Sequence, residues 1–77
     1  MKLILIFAEI NDQAKHMVLL NGLQTWRYVQ TEDDLRSYEG SSTVLWLCGT
    51  YWRKPNYDLV IRMAKQRMIP ILRVEEN

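Results

Sequence analysis

The chain has 77 residues, of which 48% are hydrophobic and 25% are charged. This composition is typical of a folded protein and excludes a disordered one, and the length leaves room for one small core, so a single domain is expected over residues 1–77. Ten Lys and Arg against nine Asp and Glu give a formal net charge of +1. That balance lacks the long-range positive field of proteins that grip nucleic acids or acidic membranes.

Cysteine usage and the amino-terminal segment indicate where the protein works. Cys48 is the only cysteine, so the chain has no internal disulfide and no cysteine pair for a metal or redox site. The apolar run near the amino terminus is short and is followed by Glu9 and Asp12, unlike a signal peptide or a membrane span. We therefore expect a cytoplasmic protein without a membrane segment.

The chain begins with a predicted strand and a predicted helix. Leu3–Ala8 is continuously apolar and rich in branched residues, which is typical of a parallel strand covered on both faces. Asn11 is a residue type that caps helices, and apolar residues at helical spacing follow it until Gly22. A helix is therefore predicted over Asp12–Asn21.

A second strand and a short helix are predicted next. Thr25–Gln30 is β-prone and alternates in character, with Trp26 and Tyr28 on one face, which favours an edge strand. Thr31 then resembles a helix cap with Asp34 three residues later, so a short helix is predicted from there to about Glu39.

The carboxyl-terminal half repeats the alternation of strand and helix. Ser42–Cys48 is the second fully apolar strand. After Asn56, apolar residues at helical spacing as far as Met68 predict an amphipathic helix. Pro70–Val74 is predicted to be a short last strand, and Glu75–Asn77 a solvated tail.

The strict order βαβαβαβ predicts an α/β fold with a parallel sheet, because parallel neighbours need crossover connections. The two most apolar strands belong in the middle, which gives the strand order 2-1-3-4, a minimal flavodoxin-like or Rossmann-like arrangement. Three layers with helices on both faces are expected; two layers with all helices on one face, or a sheet completed across a dimer, are the alternatives.

In such sheets ligands bind outside the carboxyl ends of the strands, where the strand order reverses. The loops Ala8–Asp12 and Gly49–Asn56 meet there. Arg53 and Lys54 are candidates for contact with an anion at the start of the third helix, Asn56 for its cap, and Tyr51 or Trp52 for stacking on a ring. The candidate binding residues are Glu9, Asn11, Asp12, Gly49, Thr50, Tyr51, Trp52, Arg53, Lys54 and Asn56.

Each of these candidates also has a purely structural interpretation. Aromatic loop residues can close the end of the core, Asp12 can serve the helix dipole, and Glu9 can lie in solvent or pair with Arg53. A burial-shifted carboxylate at Glu9 or Asp12 would instead act as nucleophile or base, but no catalytic motif accompanies it, so no catalytic residue is assigned. The loop has one glycine and lacks a phosphate-binding motif, so no nucleotide cofactor is expected.

His16 and Cys48 are interpreted in the same way. His16 is the only histidine and would lack partner ligands, so no metal site is expected. Cys48 ends an apolar strand and is expected to be a core residue.

Surplus aromatic residues favour an interaction protein over an enzyme. Three Trp and four Tyr exceed what so small a core easily hides, and Trp, Tyr and Arg dominate binding hot spots. Trp26 and Tyr28 are expected to form one surface patch, and Tyr51 with Trp52 another. The leading hypothesis is a protein-interaction module, such as a phage or mobile-element protein that binds and inhibits a host protein, with a homodimer through an edge strand as an option. The rival is a binder of a nucleotide-like ligand or phosphorylated metabolite, or a minimal enzyme; nucleic acid is disfavoured as a partner.

Overall fold

A computed structural model of the protein describes residues 2–74, which form a sheet flanked by two α-helices. Met1 and residues 75–77 lie outside this range, and with them the predicted solvated tail. The strands are β1 (Leu3–Phe7), β2 (Trp26–Val29), β3 (Thr43–Cys48) and β4 (Ile71–Val74); the helices are α1 (Asn11–Asn21) and α2 (Tyr57–Gln66); and 3₁₀ turns span Glu32–Leu35 and Tyr51–Arg53.

The four strands form one parallel sheet in the order β2-β1-β3-β4, which confirms the predicted α/β fold and strand order. The two continuously apolar strands, β1 and β3, are the central pair, because only central strands are covered on both faces and flanked on both edges. Their register places Leu5 opposite Leu45 and Phe7 opposite Leu47. Each strand is slightly shorter than predicted. Wherever an observed end differs from the predicted end, the difference is one residue.

The sheet divides the apolar core into two clusters, one on each face. On one face Leu5 and Phe7 pack with Val60 and Ala64 of α2. The 3₁₀ turn Glu32–Leu35 contributes its buried leucine to the same cluster. On the other face, Ile6, Ala8 and Cys48 pack against α1, as the alternation of side chains along β1 and β3 requires. The structure therefore has the three layers that the sequence predicted, with one helix on each face of the sheet.

The prediction of a helix reaching Glu39 is wrong. Only the 3₁₀ turn Glu32–Leu35 forms, although the acidic cap is present: a carboxylate oxygen of Asp34 accepts hydrogen bonds from the backbone N–H groups of Gln30 (2.8 Å) and Thr31 (3.1 Å). One turn is enough to bury the leucine that ends it, and helix nucleation is unfavourable without a longer packed face.

Gly40 accounts for the course of the chain after that turn. Its backbone N–H donates to the carbonyl of Arg67 (3.2 Å), and a Cβ on Gly40 would lie 1.8 Å from the carbonyl oxygen of Met68. The connection to β3 is thus held against the end of α2 by tertiary contact. A regular helix would displace this contact.

The observed ends of both helices differ from the predicted ends. The residue that precedes α1 is Ile10 in extended conformation, so Asn11 is the first helical residue and not the cap. The predicted helix after Asn56 ends at Gln66, before Met68. Met68 instead has a positive φ of 58°, and its N–H bonds back into the last turn of the helix.

Candidate functional site

At the predicted crevice between β1 and β3, three side chains form a hydrogen-bonded network. The hydroxyl of Thr50 donates to the carboxylate of Glu9 (2.5 Å), and the amide nitrogen of Gln13 donates to the same hydroxyl (2.8 Å). The amide oxygen of Gln13 accepts from the backbone N–H groups of Glu9 (3.2 Å) and Thr50 (3.3 Å). Glu9 therefore neither projects freely into solvent nor pairs with Arg53, which corrects both structural interpretations of this residue.

Gly49 makes room for this network. Its φ of 58° lies in the left-handed region, and a Cβ on it would lie 2.5 Å from the side-chain amide of Gln13. Gln13 was not singled out from the sequence, because it reads as an ordinary polar helix residue. The sequence feature that could have identified Gln13 is its position four residues after Glu9. That spacing places Gln13 on the first turn of α1, beside the loop after β3.

Two candidate residues near the end of the loop Gly49–Asn56 hold this loop against the end of β2. The Lys54 ammonium (3.2 Å) and the Asn56 amide (2.9 Å) both donate to the carbonyl of Gln30. The ammonium also lies 5.4 Å from the centre of the Phe7 ring. Asn56 holds the position before α2, but within the described residues its side chain makes no capping bond to that helix. Both side chains fasten the loop to β2.

The 3₁₀ turn Tyr51–Arg53 presents an aromatic ring and a cation to solvent. Tyr51 packs against the α2-side core, and its ring meets Trp52 edge to face at 5.4 Å and Tyr57 at 5.9 Å. Trp52 is 57% exposed, and Arg53 is exposed next to it. Tyr51, which is partly buried against that core, therefore covers part of one side of the exposed Trp52 ring.

A cleft of about 640 Å³ lies beside Trp52, at the carboxyl ends of β3 and β4. Its size falls in the range of about 300–1,000 Å³ typical of small-molecule sites. The cleft extends one strand further than predicted, to the end of β4, and two side chains of the network, Gln13 and Thr50, form part of its wall. The lining residues are Gln13, Leu47, Gly49, Thr50, Tyr51, Trp52, Arg73 and Val74.

Arg73 and Val74 are lining residues that the sequence interpretation missed. The register places Arg73 beside Leu47 and Val74 beside Cys48. Strand order alone could have located them, since the end of β4 must lie next to the end of β3. A second, more open depression, lined in part by Gly40 and Met68, lies at the amino ends of the same strands and holds none of the predicted site residues.

The remaining predicted residues stand apart from the cleft. Asn11 and Asp12 are exposed on the first turn of α1. Trp26 and Tyr28 are partly buried against the α1-side core, so only part of each ring is available for the surface patch predicted on β2. The Tyr28 hydroxyl donates to the carbonyl of Ala8 (3.2 Å), and burial raises the pKa of this phenol.

Three further findings concern residues 2–74. Nowhere in this range do three His, Cys, Asp or Glu side chains gather closely enough to hold a metal ion. None of the helices in it combines the length and the apolar character needed to cross a membrane. Cys48 is fully buried at the end of β3, as predicted, and His16 is exposed on α1.

Comparison of the chain with protein-family models, with curated proteins and with solved structures finds no match.

Proposed function

We propose that this protein is a protein-interaction module whose contact surface is centred on Trp52. The observation that carries the proposal is the exposed Trp52 ring, held edge-on by Tyr51 at 5.4 Å beside an open cleft. In the crevice that the rival hypothesis assigned to a ligand, the side chains of Glu9, Gln13 and Thr50 are bonded to one another. The exposed Trp52 ring therefore offers a large apolar contact beside the cleft.

Preorganisation supports an anchoring role for Trp52. Burying a free aromatic side chain against a partner costs rotamer entropy, and a ring that already contacts a neighbour, as Trp52 contacts Tyr51, loses less. Trp and Arg are the residue types that most often dominate interface energies, and Arg53 is adjacent on the same turn.

The cleft next to this anchor indicates what a partner must supply. Leu47 and Val74 give it apolar walls, and Arg73 contributes a cation. An apolar side chain with a carboxylate nearby would fill such a cleft and meet its charge. We therefore propose a partner segment in which a hydrophobic residue stands next to an acidic one.

The broader role in this proposal is modulation of another protein. A small chain with an anchoring tryptophan and no assigned catalytic group suits an inhibitor of a host protein, of the kind made by phages or mobile elements. Action in the cytoplasm belongs to the same proposal and rests on the single, buried Cys48.

Replacement of the anchor tests the function. The wild-type chain is used to capture a partner from the source cell, and the affinity of the purified pair is then measured by calorimetry for wild type and for Trp52→Ala combined with Arg53→Ala. Loss of a hot spot should weaken binding at least about 30-fold. The control is Leu59→Ala, because Leu59 is also exposed but lies on α2 outside the cleft. Equal affinity of the double variant and wild type would reject the site.

A small-ligand function is the second candidate, and the volume of the cleft is the observation that favours it. Its residues would be Thr50, Trp52 and Arg73, and not the set around Glu9 that the sequence indicated. A thermal-shift panel of nucleotides and phosphorylated metabolites tests it, since a ligand at 100 times its dissociation constant adds about 2.7 kcal/mol of stability. A shift that Arg73→Ala abolishes would favour this candidate; no shift across the panel would reject it.

A further inference from the structure

Strand β4 forms an open edge of the sheet. It pairs with β3 on one side, and no strand of the described part of the chain pairs with its other side. Next to β4, the carbonyl of Pro70 accepts a hydrogen bond from the N–H of Leu45 in β3 (2.8 Å). Because the backbone groups of successive strand residues alternate between the two edges, Leu72 also directs its groups to β3, whereas Ile71 and Arg73 direct theirs to the open edge. This edge therefore presents N–H and C=O groups that a further strand can bind.

The side chains along β4 differ between the two faces of the sheet. Ile71 packs against the α2-side core, so Arg73, two residues later, lies on the same face. The Arg73 side chain is exposed and lines the cleft that Trp52 also lines. Leu72 points to the opposite face and is 50% exposed. A strand added at this edge would meet a cation on one face and an apolar side chain on the other.

The part of the chain that forms the cleft is strongly cationic, although the whole chain is nearly neutral. Residues 49–74 carry six Lys and Arg against one acid, Asp58, which is a net charge of +5. Residues 1–48 carry four Lys and Arg against six acids, which is a net charge of −2. Three of these acids lie in the 3₁₀ turn Glu32–Leu35, which follows β2 at the other edge of the sheet. An acidic segment is therefore attracted to the edge at β4 and repelled from the edge at β2.

We infer that the partner of this protein supplies an acidic, extended segment that pairs with the open edge of β4 as a further strand. The inference rests on the proposed function, because the partner is the one that Trp52 anchors, and it adds the conformation and the sequence pattern of the bound segment. Strand addition gives affinity through main-chain hydrogen bonds and specificity through alternate side chains. An acid beside Arg73 would lie at the rim of the cleft, and the next residue, on the other face, would cover Leu72. Acidic and apolar residues should therefore alternate in the segment.

The groups at this edge favour a peptide strand over another anionic partner. Ile71 and Arg73 each present both a donor and an acceptor, and a peptide backbone matches them at the spacing of a strand. A single-stranded nucleic acid would meet the cations and stack on Trp52, but its sugar-phosphate backbone has no N–H groups for the carbonyls. Since β4 has only four residues, the segment alone should bind weakly, with a dissociation constant on the order of 0.1–1 mM, and the contact with Trp52 adds to it.

Nuclear magnetic resonance of the full chain tests the inference with a defined probe. The probe, called the Glu-Val peptide, is a capped peptide of about seven residues in which glutamate and valine alternate. In the free protein the N–H groups of Ile71 and Arg73 should exchange with solvent faster than that of Leu72, which faces β3. At about 90% saturation the peptide should slow their exchange about 10-fold, because only unbound molecules then exchange freely. Binding without this protection, or no binding at millimolar peptide, would overturn the inference.

Two control peptides and two variants separate backbone pairing from charge. The Glu-Val peptide methylated at every backbone nitrogen should bind at least about 10-fold more weakly, because it has lost its N–H donors. A peptide with lysine in place of glutamate should also bind more weakly, because it meets cations of like charge. Arg73→Ala should weaken binding of the Glu-Val peptide by about 2-fold to 5-fold, whereas Arg62→Ala, which removes an exposed cation of α2 outside the cleft, should have a smaller effect. Equal binding of either control peptide and the Glu-Val peptide would overturn the inference.

The partner captured from the source cell distinguishes failure of this inference from failure of the proposed function. A bound partner should protect the N–H groups of Ile71 and Arg73. A partner that depends on Trp52 and Arg53 but leaves these groups unprotected would overturn the added strand and keep the proposed function. A partner that protects them and binds the double variant as well as wild type would reject the Trp52 site and support the strand. A thymidine oligonucleotide of about ten residues that binds while the Glu-Val peptide does not would overturn the strand in favour of nucleic acid.

Discussion

Met68 combines an unfavourable backbone conformation with a side chain that is 83% exposed. It occupies the left-handed position after α2, where its N–H bonds to the carbonyl of Lys65 (3.1 Å) and the next N–H, of Ile69, to that of Ala64 (2.9 Å). Gly22 occupies the equivalent position after α1 with nearly the same φ, 60°. Left-handed backbone costs a residue with a Cβ about 1–2 kcal/mol, and an exposed methionine recovers little of that through packing.

Met68→Gly should therefore stabilise the protein. We expect a gain of about 0.5–1 kcal/mol in the free energy of unfolding, because the strain is removed but glycine adds entropy to the unfolded chain. Urea denaturation measures it. The matched control is Gly22→Ala, which should lose about 1 kcal/mol: no atom lies within 4 Å of a Cβ built there, so the backbone conformation alone is tested. A less stable Met68→Gly would show that the methionine side chain makes a stabilising contact.

Tyr28 is the residue that couples stability to alkaline pH. Burial raises the pKa of its phenol in the folded state above 10, the value expected for the unfolded chain. Below that pH both states hold the proton and Tyr28 contributes no pH dependence. Above it the unfolded state loses the proton first, so stability falls as pH rises.

The Tyr28→Phe variant isolates this contribution. Wild type should lose stability between pH 10 and 11 with a slope from Tyr28 of less than about 1.4 kcal/mol per pH unit, the limit for one proton. The variant should lose less stability over the same interval, because every other group is common to both proteins. Parallel curves from urea denaturation at each pH would contradict the assignment.

At the scale of elements, Gln13 joins the start of α1 to the loops that follow β1 and β3. Its amide uses both an oxygen and a nitrogen, and the Thr50 hydroxyl bridges it to Glu9. The three groups are partly buried, and each satisfies the others. Removal of the central hydroxyl would leave a carboxylate and an amide without their donors or acceptors.

Thr50→Val should consequently destabilise the protein by about 1–3 kcal/mol, since partly buried polar groups lose their partners while side-chain shape is kept. Thermal unfolding gives the measurement. The control Thr25→Val replaces an exposed threonine and should change stability by less than about 0.5 kcal/mol. If both variants unfolded alike, the network would contribute nothing.

An element can be predicted from the sequence when the residues that determine it lie within the element itself. β1 and β3 were identified from continuous apolar runs, and α2 from its amphipathic spacing, because in each case burial leaves a periodic pattern. The segment after Thr31 showed a cap and an acidic first turn, yet formed only a 3₁₀ turn. Its course depends on the contact of Gly40 with Arg67 and Met68, which lie far away in sequence and leave no local pattern.

At the scale of the whole molecule, the strand order could be predicted from the alternation of elements and from the two apolar strands, whereas the position of the open cleft could not. The switch point between β1 and β3 was located correctly. Periodicity cannot show, however, that the Gln13 side chain joins the loops after these two strands by hydrogen bonds. The open cleft extends one strand further, to the end of β4. Side-chain size and hydrogen bonding, and not topology, decide which gap between strands stays open.

The division of the core into two faces also determines how the molecule opens. Cys48 is fully buried on the α1 face with Ala14 and Met17, whereas Val60 packs on the opposite face. Each cluster is a separate packing unit, so detachment of α1 alone could expose the thiol without disturbing the α2 face. Reaction with a thiol reagent then reports opening of one layer.

Labelling kinetics of native Cys48 make this measurable. Met17→Ala should weaken the α1 layer and accelerate labelling more, per unit of lost global stability, than Val60→Ala, although each costs on the order of 1–5 kcal/mol. Equal acceleration for equal loss of stability would mean that the thiol is reached only by complete unfolding. The two halves of the core would then open at two different rates in solution. The only thiol of the chain reports the rate for the α1 layer.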